Sequence, residues 1–296
     1  MAASRQGIPH RKMFPKADTR DAQAVRGVAR TILQQLCPQS SPEVVDRLFA
    51  DVEKMFAGGY LDYLPLDTRY HDFEHTLQAA LCLVLLFEGR SRAGAKPELK
   101  ARHFEMAIAG VLLHDSGYLR LRSDSDGTGA KYTFFHVSRS CAFAASYLPT
   151  IGFNNVEVDT VENAIRCTGP RSDVATIEFG GDIDRFLGCA LATADFLGQM
   201  AAPDYIEDLG FLFNEFEESD NFYHVPPVKR VFRSLGELIA KTPKFWESYV
   251  LPKLDHDYCG VYHYLADPYP DGHNAYIDAV ERNVARTVSV SPAAAC

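Results

Sequence analysis

Apolar residues recur every three to four positions along most of this chain, with polar residues between them. This period is typical of amphipathic α-helices, because residues three and four positions apart lie on one face of a helix. The first apolar stripe consists of Val25, Val28, Ala29, Ile32, Leu33 and Leu36. A second stripe runs from Val44 to Phe56. Ser41 and Pro42, just before it, predict an N-cap followed by a proline in the first turn.

The same spacing predicts further helices, so the predicted fold class is all-α. Their approximate ranges are 72–87, 98–114, 134–148, 156–167, 182–201, 204–217, 228–240, 244–264 and 274–289. Runs that alternate apolar and polar residues, as a half-buried strand does, are nearly absent. The connecting segments are not low in complexity and we see no internal repeat. We therefore expect one helical domain over residues 21–289, with disordered tails at 1–20 and 290–296.

Composition and charge exclude several classes of protein. The chain has 296 residues, of which 47% are hydrophobic and 23% are charged, as in ordinary globular proteins. The formal net charge of −9 argues against general nucleic-acid binding, because that affinity comes mostly from neutralising phosphates. The longest apolar run, Ala79 to Phe87, is much shorter than the roughly 20 residues that cross a membrane.

The cysteines and the N-terminal residues suggest a reducing compartment. The seven cysteines are scattered and form no Cys-x-x-Cys pair, and residues 1–12 lack the apolar segment of a secretory signal. We therefore expect reduced thiols and a cytoplasmic location.

Several histidines and aspartates stand where predicted helices begin or end. His71 and His75 are four residues apart, which places both imidazoles on one side of a helix, about 6 Å from each other. His114 and Asp115 directly follow an apolar helix. This arrangement delivers two metal-competent groups at the edge of the core.

Two more residues of the same kind follow later in the chain. His136 begins a helix, and Asp195 lies in a run of small apolar residues. Each of these residues, taken singly, has a common structural explanation, such as a helix cap or a hydrogen-bonded buried carboxylate. A carboxylate in an apolar stripe is nevertheless costly unless it is paired or binds a metal. Nitrogen and oxygen ligands from different helices suit Mn, Fe, Zn, Ni or Mg.

At these positions the sequence resembles the HD-domain superfamily of metal-dependent phosphohydrolases, in particular the branch shared with cyclic-nucleotide phosphodiesterases. The shared features are the segment Tyr70–His75 (Tyr-His-Asp-Phe-Glu-His), then His114-Asp115, then the distant Asp195. The resemblance covers about residues 65–200. It implies an HD-like helical bundle around a metal site, with additional C-terminal helices.

The resemblance also implies a role for each residue. The residues it places around a first metal ion are His75, His114, Asp115 and Asp195. Asp115 would bridge to a second ion, which His136 would support, and His71 would be the general acid for the leaving oxygen.

This chain has Asp72 where the phosphodiesterases have Asn. It has Cys167 in the region where many two-metal members have a further histidine. The number of ions is therefore one or two. Cys167 is a ligand or, more simply, a packing residue.

The segment 124–133 lies between the predicted ligands His114-Asp115 and His136, so it should pass near the metal site. Its glycines allow the backbone to bind an anion, and Lys131 offers a positive charge for the phosphoryl oxygens. The alternative is a solvated surface loop without a binding role.

The leading functional hypothesis is a metal-dependent phosphoester or cyclic-nucleotide phosphodiester hydrolase that uses metal-activated water, with His71, Asp115 and Lys131 as catalytic residues. Its partner would be a small phosphate-bearing substrate, such as a nucleotide. One alternative is an HD-fold di-iron oxygenase, which usually needs a richer set of histidines. Another is a catalytically silent nucleotide-binding HD scaffold. A zincin metalloprotease is disfavoured because Asp72, rather than Glu, follows the first histidine of the His71-x-x-x-His75 pair.

Overall fold

The structure, a computed structural model, describes residues 15–169 and 172–290, and these residues confirm the all-α fold class. Within them the chain forms ten α-helices and no β-sheet. The helices are α1 (Ala22–Leu36), α2 (Glu43–Phe56), α3 (Phe73–Arg92), α4 (Ala101–Leu113), α5 (His136–Tyr147), α6 (Asn155–Arg166), α7 (Asp182–Met200), α8 (Tyr205–Phe222), α9 (Leu235–Phe245) and α10 (Ala275–Val290). None of these helices is long and apolar enough to cross a membrane.

Helices α3 and α7 form the centre of the bundle. Nearly every residue of α3 from His75 to Phe87 is buried, and α7 is buried over most of its second half. The two backbones approach closely at Gly198, where an added Cβ atom would lie 2.8 Å from the backbone nitrogen of Ala79. One connected cluster of buried apolar side chains includes members of all ten helices, so the described residues share a single core.

Two of the predicted helices differ from the structure. The predicted helix 228–240 begins instead at Leu235, because Ser234 caps it by accepting a hydrogen bond from the backbone N–H of Glu237. The predicted helix 244–264 is not continuous. It consists of π-helical turns at Trp246–Val250 and Lys253–Asp257 and a 3₁₀ turn at Val261–Leu265.

Prolines and a glycine account for this interruption. Pro243, in the last turn of α9, and Pro252 have no N–H to donate, so each leaves one hydrogen bond of the regular helix unmade, and π-helical turns follow both. Gly260 has a left-handed backbone with φ of 64°, which separates the last two turns. Near the other end, helix α2 has Pro42 rather than Ser41 at its N-cap position.

The predicted disordered tails lie largely outside the described residues, at 1–14 and 291–296. The described part of the first tail packs against α3. The Lys16 ammonium is 2.7 Å from a carboxylate oxygen of Glu88, and Thr19 is buried and donates a hydrogen bond to Glu74. The domain therefore includes residues 15–20.

Candidate metal centre

Helix ends position the candidate ligands. Asp72 is the N-cap of α3, and its carboxylate accepts a hydrogen bond of 2.9 Å from the backbone N–H of His75. This cap fixes His75 in the first turn of α3. His114 is the C-cap residue of α4, and Asp115 precedes the 3₁₀ turn Ser116–Tyr118. Asp195 lies on α7, beside α3 at the centre of the bundle.

The structure brings two imidazoles and two carboxylates together. The Nε2 atom of His75 is 3.3 Å from Oδ2 of Asp115 and 3.2 Å from Oδ1 of Asp195. The Nε2 atom of His114 is 3.3 Å and 3.4 Å from the same two oxygens. Within the described residues, His75, His114 and Asp195 offer ligand atoms that all lie within 4.8 Å of one another. These buried residues can hold a metal ion.

Two buried atoms at the centre of this cluster make no contact with good hydrogen-bond geometry among the described residues. They are Nε2 of His114 and Oδ2 of Asp115, which lie 3.3 Å from each other. An unpartnered buried polar atom costs free energy, so it requires a compensating interaction. A cation between the two atoms would supply one, and the fit of these residues to a metal ion rests on this observation.

The ionisation of the cluster reflects its opposed charges. Burial alone would lower the pKa of His75, but the adjacent carboxylates of Asp115 and Asp195 raise it to about 10. Burial would raise the pKa of Asp115, yet the neighbouring imidazoles of His114 and His75 hold it well below its ordinary value. The imidazoles also lower the pKa of Asp195. Without a metal ion, protonated histidine balances the negative charge of the carboxylates.

His136 lies at the outer side of Asp115. Its Nε2 is 3.8 Å from Oδ1 of Asp115, and its Nδ1 is 2.7 Å from the backbone oxygen of Thr133. The Nδ1 of His114 likewise lies 2.7 Å from the backbone oxygen of Val111. A backbone oxygen accepts a hydrogen bond only from a protonated nitrogen, so both rings turn Nε2 toward the cluster as the free ligand atom. Burial lowers the pKa of His136, which favours its neutral form.

His71 faces the same centre but has a different partner. Its ring lies 5.5 Å from the His75 ring, and its Nδ1 is 2.6 Å from Oε2 of Glu215. The other oxygen of Glu215 accepts hydrogen bonds from the backbone N–H groups of Arg69 and Tyr70, at 2.8 and 2.7 Å. The Glu215 carboxylate is therefore rigidly held, and it orients the His71 ring.

Lys131 pairs with groups of its own loop in the structure. This differs from the prediction that its charge contacts the phosphoryl oxygens. The Lys131 side chain is 2% exposed, and its ammonium contacts the carboxylate of Asp124 and the backbone oxygen of Asp126. Segment 124–133 is thus held by contacts within the loop and by hydrogen bonds to Asp67 and Glu218. In this conformation Lys131 offers no exposed charge to a phosphoryl group.

Cys167 is also a packing residue in this structure. Its thiol is buried, donates to the backbone oxygen of Asn163, and lies where a side chain on Gly188 would be.

The sequence interpretation missed Glu215 and Gln199. The Gln199 amide donates to Oδ1 of Asp195 at 3.2 Å and accepts a hydrogen bond from the Tyr70 hydroxyl. Glu215 is one of several acidic residues on α8, and nothing in its local sequence distinguishes it from the exposed ones. Only the packing of α8 against the segment before α3 reveals its position.

The chain was compared with curated proteins and with family models. No curated protein matches the chain. A family model described as Npun_R2479-like matches residues 121–266, which is just under half of the chain. The matched range contains His136, Asp195 and Glu215 but begins after His75 and His114. Over these residues, the protein is similar to the Npun_R2479-like family.

Proposed function

We propose that this protein is a metal-dependent phosphoester hydrolase whose centre is built by His75, His114, Asp115 and Asp195. The buried Nε2 of His114 and Oδ2 of Asp115 carry this proposal, because neither makes a hydrogen bond with good geometry and a cation between them would contact both. The resemblance to HD-domain phosphohydrolases supports the choice of reaction, since the same residues occur in the same order along the chain.

The donor set is two imidazole nitrogens and two carboxylate oxygens, which suits Mn, Fe, Zn, Ni or Mg. A metal ion held there would lower the pKa of a bound water and neutralise phosphoryl charge. The two carboxylates offset the charge of the ion. Gln199 holds the Asp195 oxygen in place through its amide hydrogen bond. A second ion would have Oδ1 of Asp115 and Nε2 of His136 as its ligands from this chain.

His71 is the proposed general acid. Glu215 accepts the Nδ1 hydrogen bond of His71, which orients the ring and leaves Nε2 as the atom that would donate a proton. The side chain of His71 is 15% exposed, whereas His75 and His114 are almost fully buried, so His71 is the more accessible of these rings. Its proton would go to the leaving oxygen as the phosphorus–oxygen bond breaks.

The test combines metal analysis with a substrate panel. The purified protein and its variants His114→Ala, Asp115→Ala and Asp195→Asn are analysed for bound metals. They are then assayed with p-nitrophenyl phosphate, bis(p-nitrophenyl) phosphate, nucleoside monophosphates and cyclic nucleotides. We expect about one or two equivalents of a divalent metal in the wild type, loss of metal in the alanine variants and loss of hydrolysis in all three.

His256→Ala is the matched control, because His256 is an exposed histidine outside the cluster. It should retain both metal and activity. Stoichiometric metal in His114→Ala and Asp115→Ala would refute the proposed ligands. A metal-loaded wild type that hydrolyses none of the esters would refute the proposed reaction.

A further inference from the structure

A cavity of about 320 Å³ adjoins the candidate metal centre, and His75 forms part of its wall. Four acidic side chains line it, and Arg69 is the one basic residue other than histidine among its lining residues. The acidic residues are Asp72, Glu74, Asp204 and Asp208. A phosphate group alone is a poor occupant of this cavity, because the surrounding charge is mostly negative.

Three polar groups of the cavity wall lack partners in the described part of the chain. Asp204 occupies the N-cap position of α8 but makes no capping hydrogen bond, and its Oδ1 is buried without a partner. The Asp208 side chain, one turn further on, has neither an ion pair nor a hydrogen bond among the residues described. Gln78 is 9% exposed, and its amide likewise has no partner there. Helix dipoles favour acids at these helix ends, but they do not satisfy the buried oxygen or the amide.

The four carboxylates of the cavity outnumber its basic side chains, Arg69 and His75, and His75 also serves the metal cluster. Burial and the nearby carboxylates of Asp204 and Asp72 raise the pKa of Asp208 to about 6. Arg69 is stacked on Phe211, with its guanidinium carbon 3.8 Å from the ring centre. The nearest cation to Glu74 is Arg20, at 3.8 Å, and Arg20 is largely exposed. A positively charged ligand would relieve this repulsion.

The spacing of the carboxylates favours an organic cation over a second metal ion. A metal ion needs several ligand atoms close to one point. Among the described residues, His75, His114 and Asp195 form a group whose ligand atoms lie within 4.8 Å of one another, and the cavity carboxylates do not belong to a group of this kind. Aromatic side chains complete the wall, namely Tyr70, Tyr205 and Phe211. Ring faces attract ammonium groups. A cavity of this volume also accommodates an alkyl chain along with the charged group.

We propose that this cavity binds an alkylammonium group, and that the substrate of the metal centre is a phosphoester whose alcohol carries this group. The second part rests on the proposed hydrolase function. His75 belongs to both the cavity wall and the metal cluster, so one small zwitterionic molecule can reach both. Its ammonium group would pair with Asp204 and Asp208, while its phosphate would reach the metal centre.

The first measurement is binding, which does not depend on catalysis. Isothermal titration calorimetry compares ethanolamine with ethanol on the full-length, metal-loaded protein, and then on Asp204→Asn, Asp208→Asn and the double variant. We expect ethanolamine to bind and ethanol not to bind. The double variant should lose at least about tenfold in affinity, because it removes both charge-assisted hydrogen bonds to the ammonium group. Asp159→Asn, at an exposed aspartate of α6, is the control and should bind as the wild type does.

The second measurement is the ratio of kcat/KM for O-phosphoethanolamine to that for ethyl phosphate. We expect a ratio of at least about ten in the wild type and in Asp159→Asn, and a ratio near one in the double variant. Hydrolysis of both esters at equal rates, with no binding of ethanolamine, would overturn the cation site and leave the hydrolase function intact. Binding of ethanolamine that depends on Asp204 and Asp208, with neither ester hydrolysed, would support the cation site and overturn the substrate class. Binding of ethanolamine that the double variant retains would overturn the assignment to this cavity.

Discussion

Some side chains in this protein stabilise a helix end through one atom and contribute to the candidate metal centre through another atom or through the residue that they position. The Nδ1 of His114 is hydrogen-bonded to the backbone oxygen of Val111, near the end of the same helix. Its Nε2 faces the carboxylates of Asp115 and Asp195. Asp72 shows the same division in its helix. Its carboxylate caps α3, and this cap places His75 at the centre. The geometry of the ligands is therefore a direct product of how the helices begin and end.

The opposed charges of the cluster predict that metal and protons compete. The pKa of about 10 means that His75 is protonated at neutral pH in the metal-free protein, and a metal ion needs the neutral ring. Metal affinity should therefore rise with pH between about pH 6 and 9, by up to about tenfold per unit for each proton released. Calorimetry in two buffers with different ionisation enthalpies measures that proton. Equal heats in the two buffers would contradict the prediction.

The same pKa shift affects the stability of the metal-free fold. A histidine with a raised pKa stabilises the folded state fully below its unfolded pKa of about 6.5, and this contribution is lost as the pH rises through about 10.

The pairing of His71 with Glu215 predicts a specific kinetic defect. His71→Ala should retain metal, since the ring is bonded to Glu215, but lower turnover by about 10²–10⁴-fold, the usual contribution of a general acid. The loss should be greatest for esters of poorly acidic alcohols and smaller for p-nitrophenyl esters, whose leaving oxygen needs little protonation. Loss of metal in this variant would make His71 a ligand. Equal losses for the two kinds of ester would assign it to substrate positioning.

At the scale of elements, the close approach of α3 and α7 controls the distance between His75 and Asp195. Gly198→Ala would place a Cβ atom 2.8 Å from the backbone of Gln78 and Ala79, so the helices must move apart. We expect destabilisation of about 1–3 kcal/mol and weaker metal binding, although alanine is the better helix former. Urea unfolding and metal titration measure the two effects.

Gly27→Ala is the matched control for this substitution. Gly27 is also helical, in α1, but a Cβ atom there would meet nothing within 4 Å. This variant should leave metal binding unchanged and stabilise the protein by up to about 1 kcal/mol. Equal effects of the two substitutions would show that helix propensity, rather than the contact between α3 and α7, determines the outcome.

Helical periodicity predicted most elements to within a few residues, because apolar stripes and caps are local signals. It failed at 244–264, where the apolar pattern continues but Pro252 and Gly260 interrupt the backbone. The resemblance to HD-domain phosphohydrolases, rather than periodicity, predicted that His75, His114 and Asp195 come together, as they do in the structure. Neither could anticipate Glu215, whose role depends on packing between distant segments, or the pairing of Lys131 within its own loop.

For the whole molecule, the buried centre links metal binding to stability. An ion that binds the folded state alone stabilises it by about 2.7 kcal/mol at a hundred times its dissociation constant. For a chain of this size, we expect the melting temperature to rise by several degrees with metal and to fall again with a chelator. His114→Ala, which removes a ligand, should melt at the same temperature in both conditions, and Asp195→Asn, which keeps the shape but removes an anionic ligand, should show a smaller rise than the wild type. An unchanged melting temperature of the wild type after metal analysis has shown that the ion is removed would contradict this link.

The order of the ligands along the chain has a consequence for biosynthesis. His75, His114 and Asp115 leave the ribosome before Asp195, and Glu215 follows later on α8. Until α7 is made, the apolar helix α3 can pack against α1 and α4 but lacks its main partner α7, so the early ligands belong to an incompletely folded chain. The donor set is complete only after the second half has folded onto the first. Maturation with metal is therefore expected to be a late step that follows synthesis, rather than an event that starts folding.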